Sequence, residues 1–106
     1  MVIYQKQPKT VSLGKYEFDP SNQLLKTGDK CQRLTIKECK ILELLTSPTN
    51  NIAKREEIML AVWGESDYYI GRSLDVFISK LRSYLKDDHS IKLTTIPTVG
   101  YVLEIG

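Results

Sequence analysis

The 106-residue sequence predicts an α+β domain in which a small antiparallel sheet precedes three helices and a β-hairpin closes the chain. Three features carry that expectation. Val11 to Arg33 sets short apolar stretches between turn residues, which suits a meander of short strands and leaves no length for crossover helices. From Leu34 the apolar spacing changes to three and four residues, the period of a helix. From Ile91 alternation returns on both sides of a Pro97-Thr98-Val99-Gly100 turn, the pattern of a hairpin.

The elements follow in order. Met1 to Thr10 is polar, carries Pro8 and holds no lasting period, so it reads as a linker or tail, and the domain is placed at 11–106. In the meander, Leu13, Tyr16, Phe18, Leu24 and Leu25 are the apolar positions. Gly14-Lys15, Asp19-Pro20-Ser21-Asn22 and Thr27-Gly28-Asp29 are its turns. Thr35-Ile36-Lys37-Glu38 is a capping box, in which the threonine hydroxyl accepts from the N3 amide and Glu38 reaches back to the cap. Cys39, Ile41, Leu42 and Leu45 continue that first helix, and Ser47 to Asn51 is expected to end it. A second helix runs from about Lys54 to Trp63, with Ile58, Ala61 and Val62 inward and Gly64 as the stop. Gly64 to Gly71 reads as a loop bearing Tyr68 and Tyr69. A third helix, from about Arg72 to Lys86, has the stripe Leu74, Ile78, Leu81, Leu85. Asp87-Asp88-His89-Ser90 ends it.

Composition narrows the function. No apolar run approaches the ~20 residues that span a bilayer, and the start lacks a signal-peptide core. A cytoplasmic protein without membrane contact is expected. Cys31 and Cys39 read as reduced thiols, Cys39 as small core filler. His89 is the sole histidine and far along the chain from both, so no metal site is expected. There is no Gly-rich phosphate loop and no nucleophile–base–acid set, which argues against an enzyme and against a cofactor. The net charge of +2, from 15 basic and 13 acidic residues, is modest. It is also uneven: residues 72–86 hold four bases (Arg72, Lys80, Arg82, Lys86) against Asp75 alone.

What the third helix leaves outside its core stripe is informative. Arg72, Ser73, Val76, Phe77 and Lys80 lie away from Leu74, Ile78 and Leu81, and this face extends towards Ser83 and Tyr84. A DNA major groove needs such a mixture: bases for phosphates or guanine edges, hydroxyls as tolerant donors, apolar groups for thymine methyls. The alternative from periodicity alone is that Val76 and Phe77 cover a second apolar patch. The order of elements favours DNA, because two helices joined by a short connection and followed by a hairpin describe a helix-turn-helix with a wing.

Leu34-Thr35-Ile36-Lys37-Glu38, Ile41-Leu42-Glu43-Leu44-Leu45, Arg55-Glu56-Glu57-Ile58, Val62-Trp63-Gly64, Gly71 to Arg82 (GRSLDVFISKLR), Ile96 and Val99-Gly100-Tyr101 together resemble the effector domain of OmpR/PhoB-type response regulators. The resemblance covers Val11 to Ile105. It implies a winged-helix domain with an N-terminal four-stranded sheet, three helices and a hairpin wing, binding double-stranded DNA in bacterial two-component transcription control. It further implies an upstream receiver domain, phosphorylated by a sensor kinase in a phosphorelay. Nothing before Val11 could form such a receiver, so the chain is expected to be the C-terminal part of a longer regulator.

By position, the resemblance puts Arg72, Ser73, Val76, Phe77 and Lys80 towards the groove and Arg82 on a phosphate. Arg55 and Trp63 match backbone-contacting positions of the second helix, with core packing the alternative for Trp63. Thr95 matches a wing contact, and Thr98 stands at the wing tip. Asp75 is expected to pair with Arg72 or Arg82. The 64–71 loop matches a region that touches RNA polymerase, with Tyr68 and Tyr69 as contacts; plain solvent exposure is the alternative. Pro97 stands where an arginine often enters the minor groove, and Phe77 and Ser79 stand where polar or basic residues are common. Fewer phosphate contacts imply weak monomer binding, with affinity gained by two copies on repeated half-sites. The rival reading is a winged helix used for protein contacts only, anchored by Val76, Phe77 and Tyr84.

Overall fold

The computed structural model describes residues 10–46 and 52–106. The expected tail, apart from Thr10, and the expected stop of the first helix at 47–51 lie outside them. Four strands, β1 (Val11–Leu13), β2 (Tyr16–Asp19), β3 (Leu24–Thr27) and β4 (Lys30–Arg33), form one antiparallel sheet in sequential order. Leu13, Phe18 and Leu25 point inward from it and are buried. Helix α1 (Ile36–Thr46) follows, then β5 (Ile52–Lys54), α2 (Arg55–Trp63) and α3 (Tyr68–Tyr84). The wing is β6 (Ile91–Ile96) and β7 (Gly100–Ile105); β7 lies between β5 and β6 in a second antiparallel sheet. The winged-helix expectation is met.

The core sits between the N-terminal sheet, the helices and the wing. Ile41, Leu42 and Leu45 of α1 meet Leu74, Ile78 and Leu81 of α3, with Tyr101 and Leu103 closing the wing side. The capping box forms as expected: Thr35 Oγ1 accepts from the Glu38 amide at 3.1 Å, and Glu38 Oε1 accepts from the Thr35 amide at 2.8 Å. Cys39 is buried in this core and Cys31 is exposed, both as free thiols. Burial pushes the Cys39 thiol up to about 11.

Three expectations need correction. Strand β5 was not foreseen; three residues are too short to show a period, and it exists because β7 offers it a ladder from Ile52↔Val102 to Lys54↔Gly100. In α2 it is Met59, not Ala61, that joins Ile58 in the core. Helix α3 begins at Tyr68, four residues earlier than expected, capped by Asp67, whose side chain accepts from the Ile70 amide at 2.8 Å. Gly71 disguised this start, since glycine inside a helix is normally unfavourable. Its reason is close approach: a Cβ there would stand 2.6 Å from Arg55 Nη2, which crosses the helix at that point.

The N-terminal sheet is tied to the rest by a buried carboxylate. Asp88 Oδ2 accepts from the Lys15 amide at 2.6 Å, and Oδ1 accepts from the amide and hydroxyl of Ser90. Tyr16 Oη accepts from the Asp87 amide at 3.2 Å. The wing is fixed to α2 in turn. The Arg55 amide, which starts α2, donates to the Val99 carbonyl at 2.9 Å. This replaces the side-chain cap that Lys54 does not supply.

Two backbone positions give tests. A Cβ on Gly100 would lie 2.1 Å from the Ala53 carbonyl oxygen, so Gly100→Ala must push β5 off β7. A loss of about 3 kcal/mol in urea denaturation is expected. At the wing tip, Val99 N–H donates to Ile96 O at 3.0 Å across Pro97 and Thr98, and Thr98 has φ +62°. That matches a type II turn, which favours glycine at this place. Thr98→Gly removes a left-handed β-branched residue and is expected to raise stability by up to about 1 kcal/mol, read as a higher midpoint in the same experiment.

Candidate nucleic-acid interface

Helix α3 buries Gly71, Leu74, Ile78 and Leu81, and its opposite side is open. Arg72, Val76 and Lys80, spaced by four residues, form one exposed row along that side. Val76 is 57% exposed between the two bases. Ser73 and Ser79 flank the row and are exposed. The row thus presents two cations with an apolar side chain between them.

Phe77 borders this row without belonging wholly to it. It is half-buried and meets Trp63 of α2 edge to face, with ring centroids 5.8 Å apart. Lys80 Nζ lies 5.9 Å from the Phe77 ring centre, and Lys37 Nζ from α1 lies 5.8 Å from that of Trp63. Three helices thus contribute to a band of aromatic rings carrying cations. Trp63 packs against the core and keeps a partly open face, so both of its expected roles are compatible with its position. Lys37 escaped the sequence reading because its partner, Trp63, lies on another helix.

Arg55 is the next correction. Asp75 was expected to pair with Arg72 or Arg82; it pairs with Arg55, Nη1 to Oδ1 at 2.7 Å and Nη2 to Oδ2 at 3.4 Å. Arg55 also donates to the Tyr101 hydroxyl, which donates in turn to Asp75 Oδ1 at 2.8 Å. The Arg55 hydrogen bond, with that of Tyr101, holds the Asp75 carboxyl below its ordinary value against the effect of partial burial. The Asp75 hydrogen bond holds the Arg55 guanidinium above its own. Burial, then the hydrogen bond to Asp75, pushes the Tyr101 phenol up to about 12.

Arg82 is a strut between α3 and the wing. Its Nε donates to the Leu93 carbonyl at 2.8 Å and its Nη2 to Thr95 Oγ1 at 2.6 Å. Thr95 and Thr98 are both exposed on the wing. Tyr84 is not on the open face as expected: it is half-buried, and its hydroxyl donates to Glu38 Oε2 at 3.0 Å. Its hydroxyl is thereby engaged with α1, which leaves less of Tyr84 for the apolar anchor of the protein-only reading. Tyr68 and Tyr69 are exposed, as the loop reading required, but they occupy the first turn of α3; the connection itself is only residues 64–67.

Among the described residues, no group of three or more His, Cys, Asp or Glu side chains could hold a metal, and no helix is long and apolar enough to cross a membrane. The arrangement defines a winged-helix domain whose exposed helix carries charge and apolar contact together. The profile of the family described as "Transcriptional regulatory protein, C terminal" matches residues 29–103. The chain belongs to that family, the effector domains of OmpR/PhoB-type response regulators. It is 41% identical over 98 residues to the transcriptional regulatory protein RprY of Bacteroides fragilis, covering 92% of this chain and 42% of RprY. It is 31% identical over 85 residues to the phosphate regulon regulator PhoB of Klebsiella pneumoniae, covering 79% and 37%. The chain therefore spans about two fifths of the length of these curated relatives. Among solved structures, the RstA DNA-binding domain of Klebsiella pneumoniae, in complex with the RstA box, superposes with a TM-score of 0.75 at 28% identity, over 91% of this chain and 97% of that one. The DNA-binding domain of CadC from E. coli, at 23% identity and a TM-score of 0.78 over 96% of both chains, shares the fold.

The Asp75 network makes a prediction with a definite sign. A carboxyl held low in the fold stabilises above its unfolded value, and that contribution disappears as pH falls through the folded one. The stability gap between the wild type and Asp75→Asn is expected to be widest at about pH 7 and to narrow towards about pH 3, followed by urea denaturation at each pH.

Proposed function

We propose that this chain is the sequence-specific DNA-binding effector domain of a two-component transcriptional response regulator. In this reading α3 lies in the major groove, and the wing at 91–105 rests on the flanking backbone. The observation that carries it is the exposed Arg72–Val76–Lys80 row on a helix whose other side is fully engaged in the core. Arg72 and Lys80 would contact guanine edges or phosphates, Val76 a thymine methyl, and Ser73 a base or phosphate. Phe77 and Trp63 would support Lys80 and Lys37 at the groove edge. Arg82 sets the angle of the wing and reaches a phosphate, while Thr95 and Thr98 touch the backbone. Arg55, engaged by Asp75 and Tyr101, would orient the start of α2 towards a phosphate.

The reading also includes an upstream receiver domain and a sensor kinase that phosphorylates it, for which the greater length of the curated relatives gives support. Two copies on repeated half-sites would supply the affinity that few phosphate contacts withhold. The wing tip carries Pro97, which can neither donate a hydrogen bond nor carry charge. Base reading therefore rests on α3.

The test is an amide-resolved NMR titration with a mixed-sequence duplex at low and moderate salt. Shifts concentrated in 72–84 and 94–101 that fade with salt are expected; none at low salt would overturn the reading. Substitutions separate the roles. Lys80→Ala should weaken specific and non-specific binding alike and make the salt slope shallower by about one. Arg72→Ala should cost about 1–3 kcal/mol on the preferred site and much less elsewhere. Fluorescence anisotropy over a salt series reads both.

A further inference from the structure

The early start of α3 gives the two most exposed aromatic side chains among the described residues a new setting. Tyr68 and Tyr69 are 70% and 78% exposed, and their rings meet edge to face with centroids 5.6 Å apart. The Arg72 guanidinium carbon lies 6.0 Å from the Tyr68 ring centre. Tyr68 stands four residues before Arg72, so Tyr68, Arg72, Val76 and Lys80 run as one continuous row. Tyr69 stands seven residues before Val76, two helical turns away on the same side.

A bare helix N-terminus attracts anions, but this one does not offer that. Asp67 already satisfies the Ile70 amide with a carboxylate, and Glu65 lies just before it. A phosphate near this end would meet two negative charges. The phenols offer neutral donors that project from the backbone, so a phosphate they reach can stand further from those two carboxylates than one bound at the bare amides. The ring of Tyr68 adds a second effect: it holds a flexible guanidinium in place before any partner arrives, which lowers the entropy lost on binding.

We propose that Tyr68 and Tyr69 extend the DNA-contacting face of α3 by one turn, Tyr68 as a positioning residue for Arg72 and Tyr69 as a donor to the DNA backbone. The proposal rests on the DNA reading of α3 and is argued from the continuity of the tyrosine pair with the Arg72–Val76–Lys80 row. It places the pair on nucleic acid and not on a protein partner.

The test uses the 106-residue chain and a duplex that the chain itself selects from a pool of short random-sequence duplexes, read by fluorescence anisotropy. Tyr68→Leu should weaken binding about fivefold, whereas Tyr68→Phe, which keeps the ring, should stay within about twofold. In an Arg72→Ala background, Tyr68→Leu should change nothing further; a merely structural role would weaken binding in both backgrounds. Tyr69→Phe, which loses only the hydroxyl, should weaken binding about fivefold. All three sites of change, Tyr68, Tyr69 and Arg72, are exposed, and circular dichroism checks that each variant keeps its helices. Wild-type affinity in Tyr68→Leu and Tyr69→Phe would overturn the proposal while leaving the DNA reading intact, and would return the pair to a protein partner such as RNA polymerase. A wild-type chain that selects no duplex would overturn the DNA reading and this proposal with it.

Discussion

The contact among Arg55, Asp75 and Tyr101 joins the three parts of the domain whose relative placement matters for its work. Arg55 opens α2, Asp75 sits on α3, and Tyr101 belongs to the central strand of the wing sheet. The ion pair is open to solvent on its Asp75 side, 58% exposed, and has the modest strength of a surface pair; the buried Tyr101, bonded to both partners, is what ties it to the core. The helix that faces outward and the wing beside it are thereby held as one body. Gly71 belongs to the same arrangement, since a Cβ there would stand 2.6 Å from Arg55 Nη2 and make the guanidinium shift.

Other polar groups perform a comparable task further from the interface. Glu38 is almost wholly buried, yet one oxygen closes the α1 capping box and the other accepts from Tyr84 at the far end of α3. Asp88 links the turn between β1 and β2 to the segment that follows α3. Arg82 spans from α3 to β6. No buried side-chain nitrogen or oxygen among the described residues lacks a partner. A core of this size has little stability to spare, and buried polar atoms are tolerated because each is bonded.

The exposed row on α3 inverts this economy. Its bases and its apolar side chain remain largely in water, and an edge-to-face aromatic pair beside it holds lysines over its rings. A surface built in this way binds through many small terms, charge first and shape second. That fits a protein of nearly balanced total charge whose positive residues are concentrated locally.

How much of this was legible in the chain depends on the range of the interaction concerned. The capping box at Thr35–Glu38, the inward stripe of α3 and the hairpin at 91–105 are local patterns, set by spacings of two, three or four residues, and they were read correctly from the order of side chains. So was the exposed row, because it is what the stripe leaves over. The sequence points to a later start for α3 at Gly71, to a partner for Asp75 on its own helix, and to an open Tyr84, and the structure differs at all three. Distant partners account for most of these: Arg55 for Gly71 and Asp75, Glu38 for Tyr84, β7 for the three residues of β5; the Asp67 cap that starts α3 is local, and Gly71 masks it. The sequence by itself determined most of the helices and strands and which residue types face outward, β5 and the first turn of α3 apart, because backbone period and capping act over a single turn. Only the tertiary structure decided which charges meet and which are left for a partner, because a long side chain pairs with whatever the packed core brings within about 3 Å of it.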